Sequence, residues 1–315
     1  MRGFSGAGFL RGFVLKAVAV LSLVAGLAGA PAQAQLSGFA QALAEASVSD
    51  PALASFYAER DYRPIWTSGA DATRRSAFFA ALAGAAAHGL PVAEYDAPAL
   101  RARFGNLQTE RDRARLEAAM SATFLAYAKD IQTGVTEPGR IDPGLVRKPA
   151  RQDRLALLNG IAGDDPAALL RALPPQVPHY GLLLRAKLEM ESALARGGWG
   201  PQVPLQGTLR PGDSGPAVIA LRDRLVALGY LDRTAMAGYD PALQGAVQLF
   251  QIDNGLIADG VAGEGTLREI NRNPEDRLLS VVVAMERLRW MYGTEFGARH
   301  VWVNLPDFTA KIIDD

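Results

Sequence analysis

Apolar positions along this chain recur mainly at spacings of three and four, the period of a helix with one buried face. The longest such run begins at Thr109 or Glu110 and ends at Gly134. Leu116, Ala119, Met120, Thr123, Phe124, Tyr127 and Ile131 form its stripe, which predicts a core-facing surface. Asp165-Pro166 predicts a short helix ending before Pro174-Pro175, and the stretch from His179 to about Arg196 a further helix closed by Gly197-Gly198. These starts and stops have one logic: aspartate caps free amides, proline at the first helical position loses no hydrogen bond, and glycine takes the left-handed turn that ends a helix. From Gln35 to about Pro201 this periodicity is broken at short intervals by proline and glycine in an alanine- and leucine-rich background, predicting an all-helical domain. Gly200 to Pro211 lacks any period and marks a domain boundary.

A second helical unit follows. Asp240-Pro241 predicts a helix start, Leu243, Ala246, Val247 and Phe250 share one face, and Gly255 closes the helix. Asp259-Gly260 predicts a tight turn, after which Thr266, Leu267 and Ile270 resume helical spacing. Upstream, Asp213 is the expected cap of a helix with Val218, Leu221, Leu225 and Leu228 as its stripe and Gly229 as its end. The unit is thus read as three short helices. Beyond it, Val301 to Ile313 alternates imperfectly and reads as one strand kinked at Pro306, or a strand entering a hairpin at Asp314-Asp315. A strand without a partner is not stable alone, so it is expected to be disordered, packed on the helical domain or prone to association, and to belong to a sequence cut short.

Composition adds an export signal. The first sixteen residues carry Arg2, Arg11 and Lys16 and no acid, Ala17 to Ala30 is apolar or small, and Ala32-Gln33-Ala34 fits a signal-peptidase site, so cleavage after Ala34 and a periplasmic location are expected. The run of about 14 residues is short of the roughly 20 that span a bilayer, so no stable membrane span is expected after cleavage. The whole chain balances 33 basic against 33 acidic residues; losing three cations leaves a net charge near −3, which gives no footprint for nucleic acid. There is no cysteine, so packing alone must stabilise the mature chain.

Candidate chemistry is sparse. Gly212-Asp213-Ser214-Gly215-Pro216, with Ala86-Ala87-His88 upstream, superficially resembles serine-protease strings, but that chemistry needs two β-barrels and a buried aspartate behind the histidine, and the intervening sequence is helical. His88, His179 and His300 stand singly, without a zinc-ligand pattern. No pair of acids stands out as glycosidase carboxylates, and Glu137 before Pro138 reads as a loop residue. The expectation is no catalytic residue, no metal and no cofactor.

Phe250-Gln251, Asn254-Gly255-Leu256, Asp259-Gly260-Val261, Gly263 and Thr266-Leu267 together resemble the three-helix peptidoglycan-binding module of bacterial wall enzymes. Gly265 departs from that pattern and should weaken the last helix start by up to about 1 kcal/mol. The resemblance implies peptidoglycan as partner, with Phe250, Gln251, Asn254, Asp259 and Thr266 as candidate contacts. Phe56-Tyr57, Arg60, Tyr62-Arg63-Pro64 and Trp66, then His88-Gly89-Leu90 with Tyr95, then Phe124-Leu125, Tyr127-Ala128 and Asp130, then Pro174 to Tyr180, look like the helical scaffold domain of the large L,D-transpeptidases. Met285 to Trp290 and Val303 to Phe308 look like the lead-in helix and first strand of that family's catalytic domain. The family's reaction uses a cysteine thiolate in a serine-histidine-glycine-cysteine type segment, so a chain without cysteine is expected to be inactive alone. The resulting reading is a mainly α chain: signal peptide 1–34, scaffold 35–200, a peptidoglycan-binding-like domain 201–273, and 274–315 as lead-in helix and a short orphan β-strand. Two functions fit it, the wall-binding and scaffold portion of an L,D-transpeptidase that cross-links the wall, or a free-standing, non-catalytic peptidoglycan-binding protein.

Overall fold

The computed structural model describes residues 37–304 and 309–314; the expected signal peptide lies outside them. The helices in chain order are α1 (Gly38–Ser47), α2 (Pro51–Glu59), α3 (Ala72–Ala83), α4 (Val92–Tyr95), α5 (Ala97–Phe104), α6 (Glu110–Thr133), α7 (Pro138–Ile141), α8 (Arg154–Ala162), α9 (Pro166–Ala172), α10 (Pro178–Ala195), α11 (Pro216–Ala227), α12 (Pro241–Asp253), α13 (Glu264–Ile270) and α14 (Pro274–Arg289). Two strands follow, β1 (Arg299–Asn304) and β2 (Thr309–Asp314). The protein is mainly α, as its periodicity predicts.

The described residues hold two hydrophobic cores. The first, from Phe39 to Leu173, surrounds α6, whose Leu116, Met120, Phe124, Tyr127 and Ile131 are all buried. Thr109 caps α6 and shares a capping box with Asp112, which fixes the start of this 24-residue helix. Rings converge on it: Phe78 lies 5.3 Å from Trp66 and meets Phe124 edge-on at 5.8 Å. Glu117 sits at the centre of this core with no exposed surface. Its carboxylate accepts from the backbone amides of Ile65 (2.6 Å), Trp66 (3.1 Å) and Thr67 (2.9 Å), and from the hydroxyls of Tyr57 (2.9 Å) and Thr67 (2.8 Å). Burial raises its proton affinity and these donors oppose that shift. The segment before α3 is therefore pinned to α6 by one side chain.

The second core, from Val203 to Ile270, is built by α11, α12 and α13. Asp240 caps α12 through the Leu243 amide at 2.8 Å, Pro241 opens the helix, and Gly255 follows it at φ +67°. Asp213 differs from its expected role. It accepts from the Arg210 amide at 2.7 Å and closes the preceding turn, while Gly215 at φ +114° stands at the N-cap of α11 before Pro216. Proline supplies the helical φ, so the helix begins at Pro216, too far from Asp213 for its side chain to cap. Glu137, read as a loop residue, precedes the one-turn helix α7.

Helices α10 and α14 form an antiparallel pair. Tyr180 near the start of α10 meets Arg289 at the end of α14, while Gly198, just past α10, lies beside Pro274 at the start of α14. The three-helix unit is thus inserted at the tip of a helical hairpin whose base rests on the first core. Arg289, only 1% exposed, bonds Glu286 (2.9 Å), the Tyr180 hydroxyl (3.0 Å) and the His88 carbonyl. Glu286 in turn accepts from the Thr136 amide (2.8 Å) and hydroxyl (2.7 Å). Helix α14 is therefore packed into the helical domain, not only a connection leading away from it.

The single terminal strand expected from Val301 to Ile313 is instead two strands, paired antiparallel from Arg299↔Asp314 to Asn304↔Thr309. Residues 305–308, with the expected kink at Pro306, lie between them and outside the described residues. Pairing satisfies the backbone groups that a lone strand would leave open. Trp302 of β1 stacks on His179 at the start of α10, with ring centroids 5.3 Å apart and planes 5° from parallel. The hairpin's other face leaves Val301, Val303 and Ile312 exposed.

Candidate wall-binding module

The module is organised by one buried amide. Gln251, on the last turn of α12, donates through Nε2 to Asp259 Oδ1 (2.8 Å), the Val261 carbonyl (3.0 Å) and Thr266 Oγ1 (3.1 Å), its two hydrogens shared among three acceptors. Its Oε1 accepts from the Gly260 amide at 2.9 Å. Asp259 Oδ1 also accepts from the Val261 amide at 2.9 Å, and the backbone and Gln251 donors hold its carboxyl below the usual range. Tyr239 completes the lock by donating to the Gly260 carbonyl at 3.0 Å. Gly260 has φ +69°, and a Cβ there would come within 2.7 Å of Gln244. Glycine is required at this turn by both conformation and space.

Gln251, Asp259 and Thr266 are thus brought together directly, as a turn lock. Phe250 is fully buried in the module core, where Tyr230 meets it edge-on at 5.3 Å, and Asn254 donates to the Phe250 carbonyl at 2.8 Å at the end of α12. Of the five candidate contacts, Phe250, Gln251 and Thr266 are buried and Asn254 is half-buried, so they shape the module from within. Asp259 is exposed.

Sequence reasoning missed the arginines that set the module's outer face. Arg222 is buried and bonds the Gly238 carbonyl (3.0 Å), Asp240 (3.0 Å) and Thr234 Oγ1 (2.7 Å), tying the loop before α12 to α11. Arg222 is the main cause of the lowered proton affinity of Asp240. Arg224 bonds the carbonyls of Ile270 (3.1 Å) and Gly200 (2.9 Å), and its guanidinium lies 5.5 Å from the Trp199 ring centroid. Arg277 of α14 lies 5.7 Å from the same ring and bonds Glu269. Burial and, for Arg224, the neighbouring Arg277 charge lower the proton affinity of both arginines. Spacing gave no signal for these roles, because an arginine among apolar helix positions has the same pattern whether it points to solvent or to backbone carbonyls.

Between Arg196–Gly200, the outer side of α11 and the loop 232–237 lies an open groove of about 900 Å³. Its surface mixes charged and apolar groups. Among the described residues no cluster of His, Asp or Glu is disposed to hold a metal ion, and no helix is long and apolar enough to cross a membrane.

A scaffold domain matches residues 51–187, and a peptidoglycan binding domain matches residues 214–270. The chain carries the scaffold domain of L,D-transpeptidases followed by a peptidoglycan binding domain. The N-acetylmuramoyl-L-alanine amidase CwlM of Mycobacterium tuberculosis is 39% identical over 72 residues, and the zinc D-Ala-D-Ala carboxypeptidase of Streptomyces albus G is 42% identical over 74 residues. Those matches cover 20% and 22% of this chain, and 18% and 28% of the two relatives, so the chain spans less than a third of either.

Proposed function

We propose that this protein is exported to the periplasm, with its signal peptide cleaved after Ala34, and that its module anchors it to peptidoglycan so that the scaffold can serve L,D-transpeptidase chemistry on the wall. The observation that carries this reading is the order of the two matched domains joined to the α10–α14 hairpin, which presents the module at its tip. No residue of this chain is assigned to acyl transfer. That reaction needs a thiolate, and the chain has no cysteine. A second reading is that the protein acts on the wall by binding alone; sequencing the gene past the codon for Asp315 for a cysteine-bearing continuation separates the two.

Binding is tested by pelleting the mature chain with purified sacculi. Because Gly198 and Pro274 are adjacent, residues 201–272 can be replaced by a short glycine-serine bridge that leaves the α10–α14 pair intact. The full chain should pellet and the bridged form, checked for helicity, should stay in solution. Equal pelleting of both would sink the module's role. Export is tested by amino-terminal sequencing of the protein from the periplasmic fraction, where Gln35 should be the first residue.

A further inference from the structure

We infer that the groove beside α11 takes a zwitterionic peptide stem of the wall, and not its glycan strand. This rests on the wall-binding reading and adds the ligand class and the place where it is held.

The charges in the groove set the class. Asp223 on α11 and Asp232 and Arg233 on the loop are exposed, line the same groove, and have no side-chain hydrogen bond or ion pair among the described residues. Arg222 beneath them is already matched by Asp240, so it adds no free charge to the surface. The groove therefore offers two guanidiniums without a carboxylate partner, Arg233 and, at its other edge, Arg196, which bonds only the Ser192 hydroxyl, together with two unpaired carboxylates, over a floor that is already neutralised. A guanidinium is suited to forked recognition of a carboxylate, and the aspartates to an ammonium group. Ile219 and Met236, 44% and 59% exposed, supply apolar contact on the same walls, suited to alanine methyls.

A glycan strand is a poorer match. Neutral sugar rings are held by exposed aromatic faces, and the groove's one aromatic residue, Trp199, is 7% exposed with guanidinium groups over it from Arg224 and Arg277. The ring is used internally as the joint between hairpin and module. What remains open is charged and aliphatic, the chemistry of a peptide with free carboxylate and amine.

The loop is also held in place for this task. Before the loop the Tyr230 amide donates to the Leu225 carbonyl at 2.9 Å; within and after it Arg222 bonds Thr234 and the Gly238 carbonyl, and the Tyr239 amide donates to the Asp213 carbonyl at 2.8 Å, so the chain is tied to the module on both sides of Asp232 and Arg233. Asp232 and Arg233 thus project from a fixed backbone path at the groove's edge.

The test uses the mature chain and two probes, a soluble tetrapeptide stem with its side-chain amine free and a glycan oligosaccharide stripped of peptide, each titrated by calorimetry. The stem should bind, binding should weaken as salt is raised, and Arg233→Glu and Asp223→Lys should each weaken it by about tenfold or more. Both substitutions are on exposed side chains, and unchanged helicity and thermal midpoint establish that each variant is folded. Binding of the stripped glycan in place of the stem, or stem binding unchanged in both variants, overturns the inference. Pelleting with sacculi distinguishes the two levels: a wild-type chain that pellets while both variants pellet equally well defeats only the groove, whereas a wild-type chain that does not pellet defeats the wall-binding reading as well.

Discussion

Glu117 shows how much of this fold is held by single polar side chains inside apolar surroundings. An ionised carboxylate only accepts hydrogen bonds, and here three backbone amides and two hydroxyls point at it. Glutamine is nearly isosteric but must turn an NH₂ group toward donors, so Glu117→Gln leaves at least one buried amide of residues 65–67 without an acceptor. The expected cost is about 1–3 kcal/mol, read as a lower urea midpoint with an unchanged slope. Glu117→Leu should cost more, since every donor then loses its partner. A variant as stable as the wild type would mean that the segment before α3 is held by its aromatic contacts and not by this carboxylate. Gly260 makes the complementary case in the module: its value lies in an absent side chain, and Gly260→Ala should lower the stability of the turn and expose the Asp259–Val261 segment to hydrogen exchange.

The α10–α14 pair is where neighbouring elements test one another. Gly134, at φ +93° after α6, approaches α14 so closely that a Cβ would sit 2.6 Å from Glu286 Oε1 and 2.9 Å from Trp290. Gly134→Ala should therefore destabilise by about 1–3 kcal/mol. Gly105→Ala, at a helix end with only the Ala102 carbonyl at 3.6 Å, is the matched control and should stay within about 0.5 kcal/mol. His88 reports on the same packing through pH. Burial first, then the Arg289 and Lys187 charges, lowers its pKa from 6.5 to about 4, while Tyr180 meets its Nδ1 at 3.1 Å. The unfolded chain binds this proton more readily than the folded one between those values, so this contribution to stability is present above pH 6.5 and is lost as pH falls toward 4. Glu117 has the opposite sign, its proton affinity being raised on folding, so the His88 part is isolated as the difference between the wild type and His88→Gln in chemical denaturation from pH 7 to 4. The wild type should lose more stability than the variant over that range; parallel curves would place His88 in a more solvated setting than its packing indicates. Helices α6 and α12 were legible because each carries its own stripe, cap and stop, α9 through its Asp165-Pro166 start, and α10 through its Gly197-Gly198 stop. Periodicity was silent on the return of α14 to the helical domain, since Glu286, Arg289 and Thr136 meet only after a module of some seventy residues has been inserted between them. It was silent too on β2, whose partner is set by pairing and not by any period of its own, and on the groove, whose charges look like an ordinary solvated surface until the loop and α11 are placed side by side.

At the scale of the whole molecule the decisive question is how firmly the module is carried. Separate cores joined through a short segment commonly move relative to one another unless the joint is large or well packed. Here the joint is small but interlocked: guanidiniums from α11 and α14 lie 5.5 and 5.7 Å from the Trp199 ring centroid, Arg224 also bonds the Gly200 carbonyl, and Asn271 bonds both the amide (2.8 Å) and the carbonyl (2.7 Å) of Val203. These contacts tie the segment that leaves α10 to the segment that enters α14, so the module has two backbone connections and one side-chain clamp. Such a clamp fixes the direction in which a wall ligand would be presented to the scaffold, and its loss should free the module without unfolding either core. Trp199→Ala is therefore expected to leave overall helicity nearly unchanged while making residues 196–212 markedly more sensitive to limited proteolysis and broadening the distance distribution in small-angle scattering. If cleavage and scattering both match the wild type, the two backbone connections alone are rigid and the aromatic clamp is dispensable. If instead the module core itself melts, followed through the Tyr230 and Tyr239 environments, Trp199 belongs to that core more than to the joint, and the presentation of the module is set by α10 and α14 alone.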